Sequence, residues 1–137
     1  MQELVVGVEP IPANLDFRVL LIDDNEDANE SMAALLELIG YQVRTASDGV
    51  SALQIVEQFQ PQLILSDIGL PGMDGYRLAP ALRQAAGERK VIIAAATGYG
   101  QASDRLRSQA AGFDHHLVKP LDADSLLHFV AQQAASY

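Results

Sequence analysis

Six polar side chains close short apolar runs in this sequence. Asp23 and Asp24 follow Val19–Ile22, Ser66 and Asp67 follow Leu63–Leu65, Thr97 follows Val91–Ala96, and Lys119 follows Leu117–Val118. Three aspartates drawn into one place repel unless a bound cation, a lysine or protonation compensates them. Oxygen donors without histidine, in a chain with no cysteine, favour a hard ion such as Mg²⁺, Mn²⁺ or Ca²⁺ over Zn²⁺. Asp23, Asp24, Glu26 and Asp27 are dense but lack the alternate spacing, central glycine and closing glutamate of a helix-loop-helix Ca²⁺ loop. Mg²⁺ held by a few carboxylates, with water and a phosphate completing its shell, fits better. A carboxylate also accepts a phosphoryl group to give an acyl phosphate. The metal ion and a lysine would then neutralise charge on the transferring group, and a threonine hydroxyl would hydrogen-bond it. Taken singly, each of these residues also reads as an ordinary loop or capping residue. The chemical reading rests on all the run ends together.

The elements that must position them follow from periodicity. Apolar residues recur with the spacing of one helical face at Met32, Leu35, Leu36, Ile39, at Ala52, Ile55, Val56, Phe59, at Leu78, Ala81, Leu82, Ala85, and at Ala123, Leu126, Leu127, Val130. A fifth, weaker helical stretch runs from about Gln101 to Ala111. Gly40 and Gly112 stand where helix C-caps belong, and Asp122 where an N-cap belongs. With a more polar run at 42–46, five strand-like runs alternate with five helical stretches. That order implies an α/β domain with a parallel sheet covered on both faces and 42–46 at its edge. In such a sheet, ligands bind beyond the carboxyl ends of the strands, so the six polar residues share one crevice. Pro80 falls inside the third helical stretch and removes one backbone donor, which predicts a kink there.

Composition narrows the function classes. The chain has 137 residues, 49% hydrophobic and 20% charged, enough for one domain with its own core. Nine Lys and Arg against 18 Asp and Glu give a net charge of −9, which disfavours nucleic acid and anionic lipid as partners. The longest unbroken apolar run, Val91–Ala96, has six residues, too few for a transmembrane helix. Residues 1–17 are acidic, contain Pro10 and Pro12 but no Lys or Arg, and read as a leader or linker rather than a secretory signal. The remainder, 18–137, reads as the globular domain, and a cytoplasmic location fits a chain without cysteine.

The run Val19-Leu-Leu-Ile-Asp23-Asp24-Asn25-Glu26-Asp27, then Asp67-Ile-Gly-Leu-Pro71-Gly-Met73-Asp74-Gly75, then Thr97-Gly-Tyr99, then Lys119-Pro120 resembles the receiver domain of two-component response regulators. The resemblance covers about residues 18–135, and Thr97-Gly-Tyr-Gly100 with Gly112-Phe-Asp-His-His-Leu-Val-Lys-Pro120 is particularly similar to receivers of hybrid sensor histidine kinases. It implies a flavodoxin-like fold with strand order 2-1-3-4-5. It further implies that Asp67 is the phosphoacceptor, that Asp24 and Asp67 bind Mg²⁺ (or Mn²⁺ in its place) directly, and that Asp23 holds it through water. The backbone carbonyl of Gly69 would complete the protein's share of the shell. Thr97 and Lys119 would bind the phosphoryl group, and the Lys119–Pro120 bond would be cis. A sensor histidine kinase or a histidine phosphotransfer protein would be the donor. A downstream protein or a phosphorylation-linked dimer would be the further partner. The domain would be a phosphoacceptor rather than an enzyme acting on other molecules.

One position departs from the pattern. Three residues before the lysine the family commonly has Tyr or Phe, and here stands His116, a candidate switch residue beside Thr97, with Tyr99 as a substitute aromatic. His115 and His116 are adjacent on a strand and point to opposite faces, which argues against a two-histidine metal site. Gly69 leaves open the side-chain position that would hinder or assist water attacking the acyl phosphate. Competing classes fit less well. An aspartate-nucleophile phosphatase carries Asp-x-Asp after its first strand. FMN binding needs a glycine- and hydroxyl-rich loop where this chain has Asp23-Asp24-Asn25-Glu26-Asp27. A receiver that has lost phosphorylation would lack one of the chemical positions, all of which are present.

Overall fold

In the computed structural model, which describes residues 16–68, 75–98 and 102–137, ten elements alternate along the chain. They are β1 (Arg18–Ile22), α1 (Glu26–Ile39), β2 (Gln42–Ala46), α2 (Gly49–Phe59), β3 (Leu63–Asp67), α3 (Gly75–Ala86), β4 (Ile92–Thr97), α4 (Ala102–Ala111), β5 (His115–Val118) and α5 (Ala123–Ser136). The strands form one sheet in the order β2-β1-β3-β4-β5, every pair parallel. Both the alternation and the strand order agree with expectation. The polar run at 42–46 is the edge strand β2, with only Val43 and Ala46 buried.

Side chains alternate between two cores because successive residues of a strand face opposite sides. Leu20, Ile22, Ile64, Ile93 and Ala95 pack with Ala52 and Val56 of α2 and Leu78, Ala79 and Leu82 of α3. Val19, Leu21, Leu63, Leu65, Ala94 and Ala96 pack on the other face with Leu36 of α1 and Leu126, Phe129 and Val130 of α5. Burial on both faces explains why β1, β3 and β4 read as near-continuous apolar runs.

The helix ends follow the capping rules. The side chains of Asn25, Asp48 and Asp122 accept from the amides of Ala28, Ser51 and Ser125, at 3.1, 2.8 and 2.7 Å. Gly40 adopts φ 122° and donates its N–H to the Glu37 and Leu36 carbonyls, and Gly112 adopts φ 101°. No L-residue with a side chain takes these angles cheaply. α3 runs as one element from Gly75 to Ala86 with Pro80 inside it. The buried face of α5 differs from the periodic reading. It comprises Leu126, Phe129, Val130, Gln133 and Ala134, whereas Ala123 is exposed. Ala123 belongs to the first turn, directly after its cap, and the helix meets the sheet only beyond that turn.

At the amino-terminal edge of the sheet, aromatic residues close the second core. Of the expected leader, residues 1–15 lie outside the described residues, while Phe17 is fully buried. The Phe17 ring meets Tyr41 edge-on at 6.3 Å and Tyr137 at 5.6 Å. Tyr137 donates its hydroxyl proton to the Lys90 carbonyl, and the Lys90 ammonium lies 4.6 Å from the centre of its ring. Among the described residues the buried Tyr41 hydroxyl has no hydrogen-bond partner, and its burial pushes the phenol above its usual pKa.

An unpaired buried hydroxyl costs stability, so Tyr41→Phe is expected to raise the unfolding free energy by about 1 kcal/mol, read as a higher Tm. A lower Tm would mean that the hydroxyl is satisfied in solution. The caps predict a pH effect. Hydrogen bonds from Ser51, backbone first, hold the Asp48 carboxyl below its ordinary pKa, and Ser125 does the same for Asp122. A carboxyl whose pKa is depressed on folding stabilises the fold above the unfolded value and loses that contribution as pH falls through the folded value. The Asp48→Asn, Asp122→Asn double variant should therefore lose less stability than the parent between about pH 5 and pH 2, as measured by thermal unfolding.

Candidate functional site

Asp23 is the first residue beyond β1, where its N–H still donates to the Ala46 carbonyl of β2 at 3.1 Å. Asp24 follows it, and Asn25 caps α1, so the turn between strand and helix spans only three residues. Asp67 ends β3, the strand next to β1. Parallel pairing thus brings the two acidic ends side by side. Carboxylate oxygens of Asp23, Asp24 and Asp67 lie within 4.8 Å of one another. Asp23 is buried, Asp67 half-buried and Asp24 exposed, so the cluster has one open side.

Lys119 compensates two of these charges. It follows β5, and its ammonium lies 3.2 Å from an oxygen of Asp23 and 3.2 Å from one of Asp67. β4 stands between β5 and β3, so the lysine stem must pass over the end of β4. There it shares a cleft with Ala96, Leu65 and Leu121, and the small Ala96 leaves it room. Partial burial by itself would lower the Lys119 pKa. Hydrogen bonds to Asp23 and Asp67, with the charges of both, reverse that and hold it above the usual lysine value. The Lys119 backbone N–H donates to the Thr97 carbonyl at 2.7 Å, and the Lys119–Pro120 bond is cis, as expected.

Of the predicted site residues, Asp23, Asp24, Asp67 and Lys119 come together, with Thr97 buried at the neighbouring end of β4. His116 is half-buried on β5, in register with Ala95. His115 is exposed, and its ring meets Phe129 of α5 edge-on at 5.3 Å. Gly69 and Tyr99 lie outside the described residues. Two residues escaped the sequence reading. Asn25 donates its N–H to the Asp23 carboxylate at 3.0 Å, and Asn29, buried in α1, reaches the Asp23 backbone. Asn29 was detectable as a polar residue three before Met32 and seven before Leu36, on the apolar stripe of the helix.

An all-oxygen set of three carboxylates suits a hard divalent cation and offers no soft ligand for Zn²⁺. Among the described residues, no helix is long and apolar enough to cross a membrane.

Comparison with known proteins identifies the family. Residues 19–131 match the family model described as the response regulator receiver domain. The sensor histidine kinase RcsC of Salmonella typhi is 34% identical over 122 residues, which cover 89% of this chain and 13% of the kinase. A response regulator receiver domain protein (CheY-like) from Methanospirillum hungatei superposes with a TM-score of 0.79 at 28% identity, covering 88% of this chain and 94% of that one. A response regulator protein from Burkholderia pseudomallei, solved with a phosphorylated aspartic acid, calcium ion and citrate, has a TM-score of 0.72 at 30% identity, covering 88% and 70%. The chain spans less than half the length of the sensor kinases and transcriptional regulators that it matches.

Removing Lys119 takes away the ammonium that the poorly hydrated carboxylates of Asp23 and Asp67 share. Lys119→Met should lower stability by about 1–3 kcal/mol in metal-free buffer, between the values for exposed and buried ion pairs. A saturating divalent cation should restore part of that loss in a denaturant titration. An unchanged midpoint would show that the bridge contributes nothing.

Proposed function

Because this chain belongs to the response regulator receiver domain family, we propose that it is a phosphoacceptor in a two-component phosphorelay, with Asp67 the residue that is phosphorylated. The observation that carries this reading is the meeting of Asp67 with Asp23, Asp24 and Lys119 at one open-sided cluster. A carboxylate oxygen of Asp67 attacks the phosphorus of a phosphohistidine. A P–O bond forms, the P–N bond breaks, and its electron pair returns to the donor imidazole. The donor is a sensor histidine kinase or a histidine phosphotransfer protein. The chain's own catalysis is limited to gaining and losing this group, so it is not an enzyme acting on other substrates.

Asp23, Asp24 and Asp67, with the backbone carbonyl of Gly69, would hold Mg²⁺, with Mn²⁺ able to replace it. When bound, the ion supplies charge neutralisation at the transferring phosphoryl oxygens. Lys119 would add a further positive charge and, once Asp67 carries the phosphoryl group, exchange a carboxylate partner for a phosphoryl oxygen. The Thr97 hydroxyl donates to another of those oxygens. Because the Lys119 N–H is hydrogen-bonded to the Thr97 carbonyl, movement of either residue pulls on the β4–β5 edge. Tyr99 and His116 would transmit that movement to a downstream partner or to a second copy of the chain. The phosphorylated aspartic acid in the Burkholderia pseudomallei relative supports the assignment.

A small acyl-phosphate donor with Mg²⁺ should add one phosphoryl group per chain, seen in intact mass and lost on hydroxylamine treatment. Asp67→Asn and metal chelation should each abolish uptake. Normal uptake by Asp67→Asn would overturn the assignment. Hydrolytic turnover of a phosphomonoester would favour a phosphatase instead.

A further inference from the structure

Asn29 is a polar side chain on the buried stripe of α1, only 4% exposed. Its amide nitrogen lies 2.8 Å from the Asp23 carbonyl oxygen and 3.0 Å from the Ala46 carbonyl oxygen. Two carbonyl acceptors fix the orientation of this amide, because turning its own oxygen toward them would set like dipoles in contact. Both hydrogens of one NH₂ group are therefore spent on the ends of two strands, the Asp23 carbonyl after β1 and the Ala46 carbonyl that closes β2. The Ala46 oxygen also accepts the Asp23 N–H. The Asp23 peptide is thus held through its N–H by β2 and through its carbonyl by α1.

The carboxylate of the same residue is restrained from the other side. One oxygen accepts from the Asn25 N–H at 3.0 Å and the other from Lys119 at 3.2 Å. The hydrogen bonds of Asn29 go to backbone carbonyls and not to these oxygens. It lines the same cleft as Asp23, Asp67 and Lys119 and acts on the cluster only through the backbone. A helix-interior asparagine loses helix propensity relative to alanine or leucine, and a polar group on a buried face needs every hydrogen bond it makes.

We propose that Asn29 is a positioning residue for the cation site, orienting the Asp23–Asp24 turn so that the site is assembled before the ion arrives. The inference rests on the reading of Asp23, Asp24 and Asp67 as a Mg²⁺ site. Asn29→Ala frees the Asp23 carbonyl, so the turn must be ordered at the expense of binding. Residues that orient metal ligands in this way typically change affinity by about ten-fold or more.

The test is Mg²⁺ titration of the full chain, followed by amide NMR shifts and, separately, by the Mg²⁺ dependence of phosphorylation from a small acyl-phosphate donor. Asn29→Ala should raise the Mg²⁺ Kd by about ten-fold, while the phosphorylation rate at saturating Mg²⁺ returns to within about two-fold of the parent. Asn29→Ser keeps one shorter donor and should fall between the two. It carries the test if the alanine variant does not fold. A Kd within about two-fold of the parent in a folded variant, with only Tm reduced, would overturn the proposal and leave Asn29 a structural residue. If the parent itself shows no saturable Mg²⁺ binding, the reading of the acidic cluster fails instead.

Discussion

Everything at the carboxyl edge of this sheet is organised by the repulsion of three aspartates and by the means of compensating it. Asp23, Asp24 and Asp67 lie close enough for one ion to touch all three. Two of them share the ammonium of Lys119, a residue 96 positions from Asp23. Such a cluster is unstable on its own and stable only with positive charge nearby. The raised lysine pKa follows from that one requirement. Three of the acidic residues behind the protein's overall charge of −9 are thereby gathered at one end of the sheet.

The fold meets the requirement through parallel pairing. Neighbouring strands that run the same way end at the same edge, so residues distant in sequence are gathered there. Ala96 of β4 lines the cleft with Lys119, whose stem passes one strand to reach Asp67 and Asp23. The same edge is tied together by backbone bonds, Asp23 to Ala46, Ile68 to Ala96 and Lys119 to Thr97. The opposite edge holds the aromatic cluster of Phe17, Tyr41 and Tyr137, which packs rather than reacts. Chemistry and packing are therefore separated along the strand direction.

The legibility of the fold varied with the range of the interactions involved. Three two-sided strands announced themselves as apolar runs, and Gly40, Gly112 and Asp122 marked helix ends because capping is decided within four residues. On the α5 stripe Leu126 and Val130 are buried and only Ala123 is exposed, since where a helix first touches the sheet depends on the sheet. Asn29 illustrates the same limit at the site. Its spacing places it on a buried stripe, but its two acceptors lie at strand ends 6 and 17 residues away. No local pattern links a helix amide to the ends of two particular strands.

The sequence by itself determined the element types, the two-faced parallel sheet and the chemical character of its run ends, because periodicity, caps and residue type act over a few residues. Only the tertiary structure decided which of those ends touch. It placed one ammonium between Asp23 and Asp67 and left Asp24 open to solvent. It also set the helix amide of Asn29 beneath the acidic turn. Those outcomes depend on strand register and helix docking, which are settled by burial across the whole sheet rather than by any one segment.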